Sequence, residues 1–280
     1  MKIRIAHSPD SDDAFMFYAL TESKIDTEGF EIEHVLADIE TLNKEALKGT
    51  YEVSAVSFHA YPYIADKYLV LPSGGSVGDG YGPIVVVKEN LESLKAKRVG
   101  VPGKLTTAFL MLKLYEPNFE EVVLPFDHVL DAVEKGDVDA GLVIHEGQLS
   151  YQDRGLKIFL DLGRWWKEKT DLPLPLGCNV IRKDLGMENI RKFEGLMKRS
   201  IEYALNNPEE ALNFARKYAR EIKEDGEKTK RFVSMYVNQR TLDYGEDGKR
   251  AVRLMLQMGV ERGIIKADIP HVIFSDEVIS

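Results

Sequence analysis

Four short segments carry side chains suited to chemistry, and each follows directly on an apolar run. Gly141-Leu142-Val143-Ile144 leads into His145-Glu146-Gly147. An imidazole titrates near neutrality, at about 6.5 when unperturbed, so at the end of a buried strand it is placed to take a proton and return it. A lone histidine at such a place also serves as a structural residue, and Glu146 either orients it or faces solvent. Val99-Gly100-Val101 leads into Pro102-Gly103-Lys104-Leu105-Thr106-Thr107-Ala108. Two threonines at a helix start supply hydroxyls and exposed N–H donors for a carboxylate or phosphate, with capping by one of them as the plainer reading. Val53–Val56 runs into Ser57, placed to offer a hydroxyl to a ligand or to cap the next helix. The fourth segment, His7-Ser8-Pro9-Asp10-Ser11-Asp12-Asp13, invites a metal. No second cluster of matching ligands accompanies it, and capping by Asp12, favoured by the helix macrodipole, accounts for its acids; no metal is expected.

No covalent nucleophile stands out: there is no G-x-S-x-G elbow and no H-E-x-x-H pair. Cys178 is the only cysteine, so an intrachain disulfide and a thiolate zinc site of the finger type are excluded. Trp165-Trp166 fits the core or an interface between lobes better than a ligand stack, which a large aromatic ligand would favour.

The elements that must position these groups follow one grammar used twice. Ile3 and Ile5 alternate with charged residues as a strand, and a helix through Phe15, Met16 and Ala19 follows. A strand near Phe30–Leu36, a helix from Thr41 stopped by Gly49, and a buried strand Val53–Phe58 complete the first unit. After residue 95 the pattern returns. A strand holds Val99 and Val101, an apolar helix begins at Thr106 or Thr107, and Glu121–Leu124 forms a strand. Asp127 caps a helix stopped by Gly136, and Asp139–Ile144 closes the unit. Strands alternating with helices predict α/β lobes with mostly parallel sheets.

Between the units lies the glycine-rich stretch Ser73–Pro83, either a surface loop or a segment that leaves one lobe and approaches a ligand closely. It lacks both the G-x-G-x-x-G arrangement and a P-loop ending. A second crossing is expected at Leu172–Gly177, where alternating prolines stiffen the chain, followed by a strand Asn179–Arg182. The remainder reads as amphipathic helices. One sets Ile190, Phe193, Met197, Ile201 and Leu205 on a single face, and the next opens at Asn207-Pro208 with Asn207 as cap. The predicted lobes are 1–84 with 179–280, and 85–178 between them. This two-lobed arrangement, crossed twice, resembles the type II periplasmic-binding-protein fold. Ligands of open α/β sheets sit beyond the carboxyl ends of the strands, where the four segments lie.

The 280 residues suffice for such a pair of lobes, and a net charge of −9 opposes binding to nucleic acid or to an anionic membrane surface. An anionic small molecule remains compatible, since a local pocket can oppose the global field. The N-terminal apolar alternation is too short for a signal-peptide core and no run approaches a membrane span, so a cytoplasmic protein is expected. Oligomeric state has no reading in the sequence.

Several segments together resemble the 1,4-dihydroxy-6-naphthoate synthases of the futalosine route to menaquinone, over nearly the whole chain. They are Phe15–Leu20, Asp38–Asn43, Ser73-Gly74-Gly75, Val101-Pro102-Gly103 with Thr106-Thr107-Ala108, Ile144-His145-Glu146, Asp161–Trp166 through Leu172–Gly177, and Tyr236-Val237-Asn238. The resemblance implies a lyase that splits cyclic dehypoxanthine futalosine into 1,4-dihydroxy-6-naphthoate and a sugar-derived fragment, without a cofactor. It implies His145 as the proton acceptor, and ligand contacts at Ala55, Val56, Ser57, Thr106, Thr107 and Ala108. One segment departs from the family. Where its members read Ser-Pro-Cys-Pro-Asn-Asp-Thr-Phe, this chain reads Ser8-Pro9-Asp10-Ser11-Asp12-Asp13-Ala14-Phe15 and so gains acids beside the expected site. The rival expectations are a chorismate dehydratase on the same scaffold and a non-catalytic binding protein for a small carboxylate.

Overall fold

Each of the two sequence units folds around its own sheet. The structure, a computed structural model, describes residues 1–219, 225–267 and 272–278. The first unit is β1 (Lys2–His7), α1 (Ser11–Thr21), β2 (Glu31–Leu36), α2 (Ile39–Lys48), β3 (Val53–Ser57), β4 (Tyr68–Val70) and β5 (Ser76–Gly78). The chain then enters the second lobe: β6 (Ile84–Val87), β7 (Arg98–Val101), α3 (Thr107–Tyr115), β8 (Glu120–Val123), α4 (Val129–Lys135), β9 (Ala140–Val143), α5 (Gly147–Ser150), β10 (Lys157–Asp161) and α6 (Leu162–Thr170). The long strand β11 (Leu174–Arg182) returns to the first sheet. Helices α7 (Met187–Asn206), α8 (Pro208–Ala215), α9 (Gly226–Tyr236), α10 (Gln239–Leu242), α11 (Gly245–Glu261) and α12 (Ser275–Val278) follow.

The first sheet runs β2-β1-β3-β11-β4, with β5 also on β11, and the second runs β10-β6-β9-β7-β8. Both are mixed, which corrects the expectation of mostly parallel sheets. β2, β1 and β3 are parallel, as are β8, β7 and β9, because helices carry the chain back between them. β11 lies antiparallel to β3, β4 and β5, and β6 lies antiparallel to β9 and β10. The second crossing is thus itself a strand: β11 begins in the proline-rich stretch and does not wait for Asn179. Pro175 has no N–H to give and sits where the β11–β5 register shifts, a position that tolerates it.

Local signals set the element ends in several places. Gly49 and Gly136 close α2 and α4 with φ of 74° and 81°, the left-handed conformation that costs glycine least. α2 starts two residues earlier than predicted, at Ile39, because the Asp38 carboxylate accepts from the Thr41 N–H. Asn207 does not cap α8; its Nδ2 donates back to the Tyr203 carbonyl and closes α7 instead. Asp127 lies within a 3₁₀ turn, Phe126–His128, that precedes α4, and makes no cap there.

Helix α1 is buried nearly all round, packed by α7, α8 and α9, with Ile190, Phe193, Met197 and Ile201 facing it from α7. That enclosure fixes the start of α1 and the residue before it, which together carry the extra acids Asp10 and Asp12. Trp166 is fully buried and its indole N–H donates to the Pro173 carbonyl at 2.9 Å, while Trp165 stacks edge-on against Tyr115. Neither lines the cleft, so this pair is core. Gly163, beside them on α6, has no room for a side chain: a Cβ there would overlap the Tyr81 backbone carbonyl. Gly163→Ala, although a gain in helix propensity, is expected to destabilise the fold by about 2 kcal/mol, measured by denaturant unfolding. Among the described residues no helix is long and apolar enough to cross a membrane.

Candidate active site

The four strand-end segments converge on one cleft between the lobes. Its lining includes all seven residues singled out in the sequence: His145, Ala55, Val56, Ser57, Thr106, Thr107 and Ala108. Gly74 and Ser76 line it as well, so part of the glycine-rich stretch approaches the ligand space.

His145 follows β9 in a left-handed backbone conformation, φ 59°, which is strained for a residue with a Cβ and persists only where the surroundings impose it. Two neighbours fix the ring. Its Nδ1 lies 2.9 Å from Asp10 Oδ2, and the ring of Phe126 packs edge-on at 4.8 Å. Asp10 is buried at the N-cap position of α1 but gives the helix no side-chain cap, since its carboxylate reaches across the cleft to the imidazole. Burial opposes a charge on His145, yet the Asp10 carboxylate, aided by Asp12 and Asp13, outweighs it and raises the imidazole to about 9. At neutral pH this favours the imidazolium form of His145.

Glu146 does not lie in solvent. It is buried and accepts from Ser11 Oγ at 3.1 Å, a second contact between the lobes. Asp12, expected as the cap, instead lies inside α1 and lines the cleft, with Oδ1 buried and without a hydrogen-bond partner. Burial first, and then the neighbouring Asp13 and Asp10, push its carboxyl well above the ordinary carboxylate range. Asp13 accepts from both the N–H and the hydroxyl of Ser8 at 2.8 Å, which partly offsets its burial and leaves it at about 6. Burial therefore disfavours the charged forms of both acids. Both ring nitrogens of His7 are engaged, with the Ser8 carbonyl and with His34, so the loop offers no imidazole to a metal. Among the described residues no group of three potential ligands is placed to hold a metal ion.

The opposite wall is a donor site. Thr106 caps α3, accepting from the Phe109 N–H while its hydroxyl donates to the Gly103 carbonyl. The Thr107 hydroxyl donates to the Leu176 carbonyl at 2.5 Å and accepts from the His59 N–H. Both hydroxyl hydrogens are thus used within the protein. What α3 offers a ligand is the backbone: the N–H groups of Thr107 and Ala108 open the helix and have no intrahelical acceptor. Ser57 adds a hydroxyl. Its Oγ accepts from Asn43 Nδ2 at 3.2 Å and its N–H donates to Asn43 Oδ1 at 2.8 Å, which leaves the hydroxyl hydrogen directed elsewhere.

Sequence reasoning missed Asp10, Asn43, Gln148, Asn179, Phe232 and Tyr236. The last two supply the aromatic lining that the tryptophans do not, and the Tyr236 hydroxyl donates to Gln148 Oε1 at 2.9 Å. Only the departure of the first loop from its family pattern hinted at Asp10.

A family described as menaquinone biosynthesis matches residues 3–261. A Thermus thermophilus protein named 1,4-dihydroxy-6-naphtoate synthase is 42% identical over 262 residues, covering 94% of this chain and 95% of that protein. A Streptomyces coelicolor protein of the same name is 34% identical over 271 residues, 95% of each. A crystal structure of an Archaeoglobus fulgidus protein superposes with TM-score 0.91 at 52% identity, over 94% of this chain and 98% of that one. The periplasmic aliphatic sulphonate binding protein of Escherichia coli gives TM-score 0.69 at 12% identity over 100% and 99%, a likeness of fold alone. The fold is accordingly the two-lobed, periplasmic-binding-protein-like one, and by its sequence this chain belongs to the menaquinone biosynthesis family.

Proposed function

We propose that this protein is a carbon–carbon lyase that converts cyclic dehypoxanthine futalosine to 1,4-dihydroxy-6-naphthoate, with His145 as the proton acceptor. The observation that carries the reading is the pairing of a strand-end imidazole with a buried carboxylate, facing backbone and hydroxyl donors suited to an anion across one cleft. The naphthoate carboxylate is held by the Thr107 and Ala108 N–H groups and the Ser57 hydroxyl; Ala55, Val56 and Thr106 shape that end. His145 removes a proton beside a carbonyl, donors in the cleft stabilise the enolate, and aromatisation drives the elimination that releases the sugar-derived fragment. The lobes, taken as 1–84 with 179–280 and as 85–178, enclose the substrate between them, with Asp10 of one lobe held against His145 of the other. A cytoplasmic location suits a substrate of this kind.

The reading is tested by incubating the purified protein with cyclic dehypoxanthine futalosine and, in parallel, with chorismate, following dihydroxynaphthoate by chromatography. Product from the first substrate alone is the expected result. Turnover of chorismate instead makes the protein the dehydratase, and binding without turnover of either makes it a solute-binding protein. Ser57→Ala removes one donor to the carboxylate while leaving the backbone donors in place. It is expected to raise KM about tenfold with kcat changed little, the pattern of a binding contact made equally in ground and transition states.

A further inference from the structure

Asn179 is buried in β11, only 1% exposed, and lines the cleft. Its amide orientation is set by chemistry: Nδ2 donates to the Gly74 carbonyl at 2.8 Å, and a flipped amide would set oxygen against oxygen. That leaves Oδ1 buried without a hydrogen-bond partner. A buried amide oxygen left in this state is costly, and a cleft-lining one is relieved by a ligand that donates to it.

Asn179 lies away from the anion-binding donors. On the paired strands Gly177 stands opposite Ser57 and Asn179 opposite Ala55, so Asn179 is two residues, about 7 Å, further along β11. It faces α1, with Nδ2 4.0 Å from Met16 Sδ, and Asp12, one turn before Met16, brings the other partnerless cleft oxygen. An amide oxygen repels a carboxylate and attracts a hydroxyl.

We propose that Asn179 Oδ1 is a substrate-binding acceptor that takes a hydroxyl of the sugar-derived part of the substrate, fixing that end while the carboxylate is held at Ser57 and α3. The assignment rests on the lyase reading above. Burial and its acidic neighbours push the Asp12 carboxyl well above the ordinary carboxylate range, and its partnerless oxygen adds a further polar site for a neighbouring hydroxyl.

The test compares Asn179→Ala with the wild type on two ligands, cyclic dehypoxanthine futalosine and the product 1,4-dihydroxy-6-naphthoate, which lacks the sugar-derived portion. The expected result is a loss of about tenfold in kcat/KM for the substrate, with the Kd of the product unchanged within about twofold. Equal weakening for both ligands would mean that Asn179 only tethers Gly74 and would overturn the proposal, as would no change for either. Wild-type enzyme assayed with an analogue lacking the sugar-derived hydroxyls needs no variant and should lose about the same factor; unimpaired turnover of that analogue also overturns the role. Absence of turnover by the wild type on the authentic substrate removes the lyase reading, and this assignment with it, whereas normal turnover with an insensitive Asn179 removes the assignment alone.

Discussion

His145→Ala is expected to lower kcat/KM for cyclic dehypoxanthine futalosine by at least about two orders of magnitude, the contribution a positioned base typically makes. The donors proposed to hold the carboxylate lie on another wall, so the Kd for 1,4-dihydroxy-6-naphthoate should change much less than the rate. Alanine at φ 59° carries the same kind of backbone strain as histidine, so the substitution adds no new conformational penalty. A melting curve close to that of the wild type, together with retained product binding, would separate loss of the base from loss of the site. Full turnover by the variant would remove His145 from its role and leave the lyase assignment in place.

The second large effect concerns Asp10 as a positioning residue. With the His145 imidazole raised to about 9, only about one free enzyme molecule in a hundred carries the neutral, basic form at pH 7. The kcat/KM of the wild type should therefore climb with pH and level off near pH 9. Asp10→Asn removes the largest of the influences that raise the imidazole while burial continues to push it down. The acidic limb should move below about pH 7, and the high-pH plateau should fall, by about tenfold or more, because the ring loses its ionic anchor. At neutral pH these two changes oppose one another, so the diagnostic is the shape of the profile. A limb that stays near 9 in the variant would show that Asp10 does not set the protonation of His145.

The same pair links stability to pH. A base whose folded value lies above its unfolded one stabilises the fold fully below about pH 6.5, and the contribution fades as pH rises through about 9. The wild type should therefore lose more of its melting temperature between pH 6 and pH 10 than Asp10→Asn does.

Several features of the fold were legible because their causes are local. Gly49 and Gly136 end helices for reasons contained in one residue, and the apolar period of Ile190, Phe193, Met197 and Ile201 needs only the pitch of a helix. The helix start at Thr106–Ala108 was legible for the same reason, since any helix start exposes its first N–H groups. Even there the sequence could not say that both threonine hydroxyls would be spent on Gly103 and Leu176, because the second acceptor comes from a strand 69 residues away.

By itself the sequence determined the repeated β-α-β-α-β order in each lobe, the strand-end placement of His145 and Ser57, and membership of the family through motifs spread along the chain. Tertiary structure alone decided what those groups are chemically. Asp10 and His145 are 135 residues apart and meet only because the lobes pack face to face; their charge states follow from burial and mutual field, which no spacing rule encodes. The packing of α1 against α7, α8 and α9 likewise turns an apparent helix-capping loop into the wall of the cleft, and it strands oxygens of Asp12 and Asn179 there. Capping and periodicity act over a few residues of backbone, whereas protonation and ligand geometry are set by whatever the fold brings within a few ångströms.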